Sequence, residues 1–228
     1  MWCLISDPMR TDEPQPALPP KWVPATQTRV DKEGDGQLAV EPERLGSILS
    51  FLQAAERLKD TLRSGRTRQG RAESTAEHTW RLCLMAMLFD RELEGIDHLK
   101  LLRLLVVHDL GEAISGDVPA IEQHGDAHRA ERERADLISL CSPLAADLRD
   151  TIVRLWDDYA AGGSPEAVLA KGFDKIETMM QHLIGRNDPS FDYAFNLTYG
   201  RTQTDKHPLL RQIRRQVDVE TSERIEQG

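Results

Sequence analysis

The sequence predicts an all-α fold: one helical bundle with an N-terminal tail outside it. From Pro42 onwards, apolar residues recur every three to four positions, which is the spacing of a buried helix face. Residues that start helices, such as serine or aspartate followed by proline or glutamate, precede these segments. No segment of useful length alternates between apolar and polar residues, as a half-buried strand would.

Residues 1–41 are expected to form a flexible tail, and residues 42–228 the folded domain. Six prolines between positions 8 and 24 interrupt any helix, and the polar segment DKEGDGQ follows them. The first helix is predicted to begin near Pro42 and to continue to about Leu58. The next segment, RSGRTRQGRAE, is basic and rich in glycine, which predicts a loop.

The remaining helices are predicted from their start and stop signals. Ser74 and Glu77 form a capping box that starts the second helix, and Gly95 ends it. Asp97 caps a third helix, and the glycines and proline of residues 111–119 interrupt the chain after it. A further helix covers about residues 127–140. Three proline-containing signals then start the last three helices: Ser142–Pro143, Ser164–Pro165 and Pro208.

Charge and cysteine content exclude several classes of protein. The net charge of −9 argues against a nucleic-acid partner, because phosphates would be repelled over most of the surface. A small phosphate compound is still compatible as a ligand if a cation in the binding site offsets the negative charge of the protein. The three cysteines are far apart, which excludes a disulfide framework and a thiolate zinc site. The sequence shows neither a membrane-spanning segment nor a signal peptide, so a cytoplasmic protein is expected.

The strongest chemical signal is a histidine–aspartate pair at the end of an apolar helix. His108 and Asp109 follow the segment LLRLLVV, so both should lie near the protein interior, where unpaired polar groups are costly. A divalent ion would satisfy an imidazole and a carboxylate together. The pair alone is common, and by itself it fits a capped helix end with a surface histidine. Its neighbours strengthen the metal hypothesis, because the carboxylates of Glu112 and Asp117 would repel Asp109 unless a cation lies among them.

Two more candidate residues of the metal site lie outside this segment. His78 lies one turn after the capping box of the second helix. Asp174 lies in an amphipathic helix, directly after Phe173. From spacing alone, we expect Asp174 to be an ordinary solvent-exposed carboxylate that pairs with Lys171 or Lys175.

Four ordered segments resemble the HD-domain superfamily, and most closely its 5′-nucleotidase group, which includes bacterial 5′-deoxynucleotidase and the HD domain-containing protein 2 group. The segments are LKDTLRSG, ESTAEHTWRLCLMAMLF, VVHDLGEAISGDVPA and KGFDKIETMMQ. The resemblance covers about residues 43–220. It implies hydrolysis of nucleoside 5′-monophosphates, one divalent ion (Co²⁺, Mn²⁺, Zn²⁺, Fe²⁺ or Mg²⁺) and a homodimer.

The resemblance also implies a role for each site residue. It assigns the metal to four ligands, catalysis to a glutamate and an aspartate, and phosphate contact to an arginine. These are His78, His108, Asp109 and Asp174 for the metal, Glu112 and Asp117 for catalysis, and Arg63 for the phosphate. Asp117 is alternatively a ligand of the sugar. Ser64 replaces the bulky aromatic residue of the bacterial enzymes, which leaves the preference between deoxyribose and ribose open.

Three alternative functions stay open from the sequence alone. The chain could be a phosphodiesterase or a (p)ppGpp-type pyrophosphohydrolase, could hold a dinuclear oxygenase site, or could be a non-catalytic nucleotide-binding protein. A second metal would need extra histidines, for which His124 and His128 are the candidates. Their strongly charged surroundings favour a solvated helix start instead.

Overall fold

Helices make up most of the described chain, which comprises residues 39–119 and 128–227 of a computed structural model. This confirms the predicted all-α class. The helices are α1 (Pro42–Ala55), α2 (Thr75–Leu88), α3 (His98–Val107), α4 (Glu112–Ser115), α5 (Arg129–Leu140), α6 (Ala146–Ala161), α7 (Pro165–Ile184), α8 (Ala194–Thr198), α9 (Arg201–Thr204) and α10 (Pro208–Glu226). Short 3₁₀ turns cover Glu56–Lys59 and Asp90–Glu92.

Helix α7 lies at the centre of the bundle. Ser164 caps it by accepting a hydrogen bond from the backbone N–H of Ala167 at 3.2 Å, and Pro165 occupies its first turn, as predicted. Helices α2, α3, α6 and α10 pack around it. Phe173, Ile176 and other apolar residues of α7 are fully buried in the larger of two hydrophobic clusters. A polar residue on the inward side of α7 is therefore held rigidly.

A short hairpin replaces the predicted loop between α1 and α2. Strands β1 (Leu62–Arg66) and β2 (Ala72–Ser74) pair antiparallel, and Gly70 adopts a positive φ of 94° in the turn. The strands contain five and three residues, and their register is irregular, so no alternation of apolar and polar residues marks them. The pairing places Arg63 beside Glu73.

The predicted helix start at Ser142–Pro143 is wrong. Helix α6 begins at Ala146, and the intervening residues form turns in which the N–H of Ser142 bonds to Ser139 and that of Leu144 to Cys141. Serine followed by proline suits a turn as well as a helix start, and only the surrounding packing decides between them. The capping box at Ser74 is present as predicted.

Two predictions fall largely on residues outside the described ranges. The tail, residues 1–41, is one of them, so the division into a tail and a domain stays a prediction, although α1 does begin at Pro42. The other concerns His124, which lies between residues 119 and 128. Among the described helices, none is both long enough and apolar enough to cross a bilayer.

Candidate active site

One cavity gathers the predicted site residues, although the chain supplies them from five separate places. Strand β1, helix α2, the end of α3, the α4 segment and helix α7 each contribute. Five of the seven line a cavity of about 190 Å³, and the remaining two, both histidines, lie against its carboxylates. The seven residues are Arg63, His78, His108, Asp109, Glu112, Asp117 and Asp174.

His108 occupies the C-cap position of α3 and is almost completely buried. Its Nδ1 lies 2.7 Å from the carbonyl oxygen of Leu105. Because a carbonyl only accepts hydrogen bonds, Nδ1 carries a proton, and in the neutral imidazole this tautomer leaves the lone pair on Nε2. The indole N–H of Trp156 donates to the carbonyl of His108 at 3.0 Å, which fixes the end of the helix.

His78 is fully buried in α2 and is oriented by a carboxylate. Its Nδ1 is hydrogen-bonded to Glu177, which is itself fully buried and paired with Arg81. Its Nε2 lies 3.3 Å from Oδ1 of Asp174. A carboxylate on one imidazole nitrogen, with the other nitrogen directed at a carboxylate cluster, is the arrangement found around metal-binding histidines.

The geometry of these side chains fits a divalent ion. Within the described residues, the buried Nε2 atoms of His78 and His108 form no hydrogen bond. His78, His108 and Asp174 each offer a ligand atom within 4.8 Å of the others. Asp109 adjoins this triad, with its Oδ2 2.9 Å from Nε2 of His108. Two imidazoles and carboxylates form a donor set that suits transition-metal ions, and an ion would satisfy nitrogen atoms that are otherwise costly to bury.

Asp174 is buried, contrary to the expectation of a solvent-exposed carboxylate. Its Oδ2 accepts a hydrogen bond from the Tyr159 hydroxyl at 3.1 Å and lies 2.9 Å from Nζ of Lys175, so the expected lysine pairing does exist. Its Oδ1 faces His78. Burial alone would raise the pKa of Asp174, but the charge of Lys175 and the neighbouring imidazole of His78 outweigh it and hold the pKa well below its usual range.

Arg63 extends from β1 into the carboxylate cluster with only 12% of its side chain exposed. Its Nη1 lies 3.3 Å from Oδ2 of Asp109 and 3.8 Å from Oδ1 of Asp117, and its Nη2 donates to the Thr178 hydroxyl at 3.2 Å. Burial opposes the charge of the guanidinium, but these carboxylates and Asp174 together raise its pKa. Arg63 is therefore a permanent cation inside the cavity.

Glu112 begins the short helix α4 and is 8% exposed. The hydroxyl of Thr75 donates a hydrogen bond to its Oε2 at 2.9 Å. Burial, together with the negative charges of Asp109 and Asp117, raises the pKa of Glu112 to about 10. Burial also raises the pKa of Asp117, against the lowering influence of Arg63. A carboxyl group with so high a pKa, next to a carboxylate cluster, can hold a proton at neutral pH.

Sequence reasoning missed two features of this site. Glu177, the partner of His78, lies three residues after Asp174 on the same helix face, and that spacing could have indicated it. The aromatic residues Phe191, Phe195 and Tyr199 line the same cavity as Asp174. Their only sequence signal is local enrichment in the segment SFDYAFNLTY.

Of the two histidines considered for a second metal, His128 lies within the described part of the chain. His128 is exposed at the start of α5, and its Nδ1 lies 3.0 Å from Oε2 of Glu131. His124 is outside the described ranges. The expectation of one ion therefore stays a prediction.

The HD domain model matches residues 55–214, more than half of the chain. The 5′-deoxynucleotidase HDDC2 of Dictyostelium discoideum is 28% identical over 189 residues, 76% of this chain and 98% of that protein. The 5′-deoxynucleotidase hdd1 of Schizosaccharomyces pombe is 32% identical over 141 residues, 59% of this chain and 70% of that protein.

A solved structure shares the fold as well. The crystal structure of a predicted metal-dependent phosphohydrolase from Magnetospirillum magnetotacticum MS-1 matches with a TM-score of 0.70 and 25% identity, over 80% of this chain and 94% of that one. The region matched by the family model contains all seven predicted site residues. The chain belongs to the HD-domain family.

Proposed function

We propose that this protein hydrolyses nucleoside 5′-monophosphates to nucleosides and phosphate, using one divalent ion. The observation that carries the proposal is the pair of buried, unbonded Nε2 atoms of His78 and His108, which face carboxylates in a cavity that also contains Arg63. The names of the relatives, 5′-deoxynucleotidases, and of the matching structure support it.

His78, His108, Asp109 and Asp174 would hold the ion. When bound, a divalent ion supplies positive charge that lets water lose a proton near neutral pH and that stabilises charge on phosphate oxygens. The nitrogen and oxygen donors favour Zn²⁺, Mn²⁺, Fe²⁺ or Co²⁺ over Ca²⁺. Mg²⁺ remains in the set to be tested.

Arg63 would bind the phosphate dianion. Its guanidinium is charged, nearly buried and held by Asp109 on one side and the Thr178 hydroxyl on the other. A guanidinium can bind two phosphate oxygens at once, which orients the phosphorus atom for attack. Binding a dianion also compensates the positive charge that the ion and Arg63 together bring into the cavity.

Glu112 would move the proton during the reaction. Water attacks the phosphorus atom, the bond to the 5′ oxygen breaks, and one proton must pass from the water to the departing oxygen. Glu112 is fixed by Thr75, and its raised pKa allows it to hold that proton in transit. Asp117, 3.8 Å from Arg63, would hold the arginine and the sugar in place.

The decisive experiment measures phosphate release from a substrate panel after the metal has been removed and each candidate ion restored. The panel contains 5′-monophosphates, 3′-monophosphates, cyclic nucleotides and pyrophosphorylated nucleotides. Hydrolysis confined to 5′-monophosphates is expected, and its absence in the metal-loaded protein would refute the proposal. Release only from cyclic or pyrophosphorylated compounds would favour the alternative HD activities. Paired ribose and deoxyribose substrates would show the sugar preference beside Ser64, which lines the cavity.

We also infer a homodimer in the cytoplasm. Four apolar residues of α2 share one exposed face, and large apolar patches on a protein surface are typical of interaction sites. They are Trp80, Leu84, Met87 and Leu88. Light scattering would test the dimer, and Met87→Glu together with Leu88→Glu should shift the protein to a monomer if this face forms the contact.

A further inference from the structure

An aromatic wall lines the part of the cavity that the proposed chemistry does not use. The wall consists of Phe191, Phe195 and Tyr199, in a chain that is only 5% aromatic. The rings of Phe195 and Tyr199 are stacked, with centroids 5.0 Å apart and an interplanar angle of 28°. Their side chains are partly exposed, so they are not simply core residues.

The remaining ring of the wall is held in place from α7. Phe191 packs edge-on against His182, with centroids 4.9 Å apart at 64°. The Nδ1 of His182 is hydrogen-bonded to Asn196 at 2.8 Å, which also ties α7 to α8. The rings therefore keep their positions without a ligand, and such preorganisation favours binding of a flat molecule.

Helix α7 connects the aromatic wall to the charged site. Asp174, Thr178 and His182 all line the cavity and lie four residues apart on one helix face. Asp174 contacts His78, Thr178 holds Arg63, and His182 packs against Phe191. Eight residues of helix extend about 12 Å, so the Phe191 end of the wall is separated from Asp174, whereas Tyr199 lies beside the charged site with Nζ of Lys175 5.2 Å from its ring centre.

We propose that the aromatic wall binds the nucleobase of the substrate by stacking. This inference rests on the proposed function, because it takes the phosphate to lie at Arg63 and the sugar between the two regions. Every base has a π-face, so stacking binds all bases and discriminates weakly among them. The protein should therefore accept several bases but strongly prefer a nucleotide to a pentose phosphate without a base.

The test compares binding of two metal-site ligands that differ only in the base. One is the phosphonate analogue of deoxyadenosine 5′-monophosphate, which cannot be hydrolysed, and the other is the same phosphonate without adenine. Calorimetry on the metal-loaded protein should show tighter binding of the complete analogue. Removing one ring by Phe191→Leu or Phe195→Leu should weaken it by roughly 5- to 150-fold, the range of base–aromatic stacking.

Two controls separate stacking from folding. Phe191→Tyr keeps the ring and should bind the complete analogue within about twofold of the original protein. Binding of the base-free analogue should stay unchanged in all three variants, because its contacts lie at the charged site. Equal binding of both analogues by the original protein, or no loss in either leucine variant, would overturn the proposal.

The outcome is distinguishable from failure of the proposed function. Base-dependent binding without phosphate release would support the aromatic wall and refute the 5′-monophosphatase activity. Phosphate release with the same kcat/KM for nucleotides and base-free pentose phosphates would support the 5′-monophosphatase activity and refute base binding by the aromatic wall. Absence of both binding and release would refute both proposals.

Discussion

The two regions of the cavity are built in opposite ways. The charged site takes side chains from β1, α2, α3, α4 and α7, and almost every one has a second partner that fixes it, such as Glu177 for His78 or Thr75 for Glu112. The aromatic wall comes from nine consecutive positions, residues 191–199, and its rings are held by packing against one another, against His182 and against Lys175. Chemistry at a phosphorus atom needs exact placement of charges, whereas a stacked base needs only a flat surface.

This difference predicts that changes in the charged site abolish activity or metal binding, while changes in the aromatic wall only weaken substrate binding. The largest effect is expected from His108→Ala. Loss of an imidazole ligand should release the ion and reduce phosphate release by about a thousandfold or more, because the ion contributes several kcal/mol to catalysis. Metal content by mass spectrometry and phosphate release would be measured together.

The matched control for this variant is His128→Ala, since His128 is an exposed histidine outside the cavity. It should keep both metal and activity. If His108→Ala retains a full equivalent of metal, the ligand assignment is wrong.

The next largest effect is expected from Glu112→Gln. The amide has nearly the same shape and cannot transfer the proton, so kcat should fall by about 10²- to 10⁴-fold. Metal content should be unchanged, because Glu112 is not among the proposed ligands. Steady-state kinetics would check the contrast with Phe191→Leu, which should raise KM with little change in kcat. Near-normal turnover of Glu112→Gln would remove it from the mechanism.

Glu177→Gln tests whether the hydrogen bond between Glu177 and His78 strengthens metal binding. Loss of the carboxylate should weaken metal binding by about 10- to 100-fold, as changes behind metal-binding histidines typically do. Competition with a chelator of known affinity measures this change. Glu166→Gln is a suitable control, because Glu166 is also buried on α7 but pairs with Lys100, 3.2 Å away. Equal loss of metal affinity in the two variants would indicate a general effect on α7.

The smallest effect concerns the start of α2, which carries His78. Ser74→Ala should lower the free energy of unfolding by about 1 kcal/mol through loss of the N-cap. Hydrogen bonding to Arg71 and Ser74 lowers the pKa of Glu77 to about 2, so its stabilising effect is present above its unfolded-state pKa and is lost as the pH falls towards 2. Urea unfolding between pH 2 and 7 should show a shallower acid dependence in the variant.

Much of the fold was predictable because helix starts are local. The capping box of Ser74 and Glu77 and the Ser164–Pro165 start depend on neighbouring residues only, and both occur as predicted. The hairpin was missed because its strands are too short to show a pattern. Ser142–Pro143 was misinterpreted because the same residue pair suits a turn and a helix start.

The sequence by itself determined the helical class and, through its resemblance to a known group, which residues to expect in the site. Only the tertiary structure decided their environment. It buried Asp174 against His78, placed Glu177 behind that histidine, and brought Phe191 and Phe195 to the cavity that contains Arg63. The physical reason is distance along the chain: burial and the resulting pKa shifts come from groups up to about a hundred residues apart, which local patterns do not register.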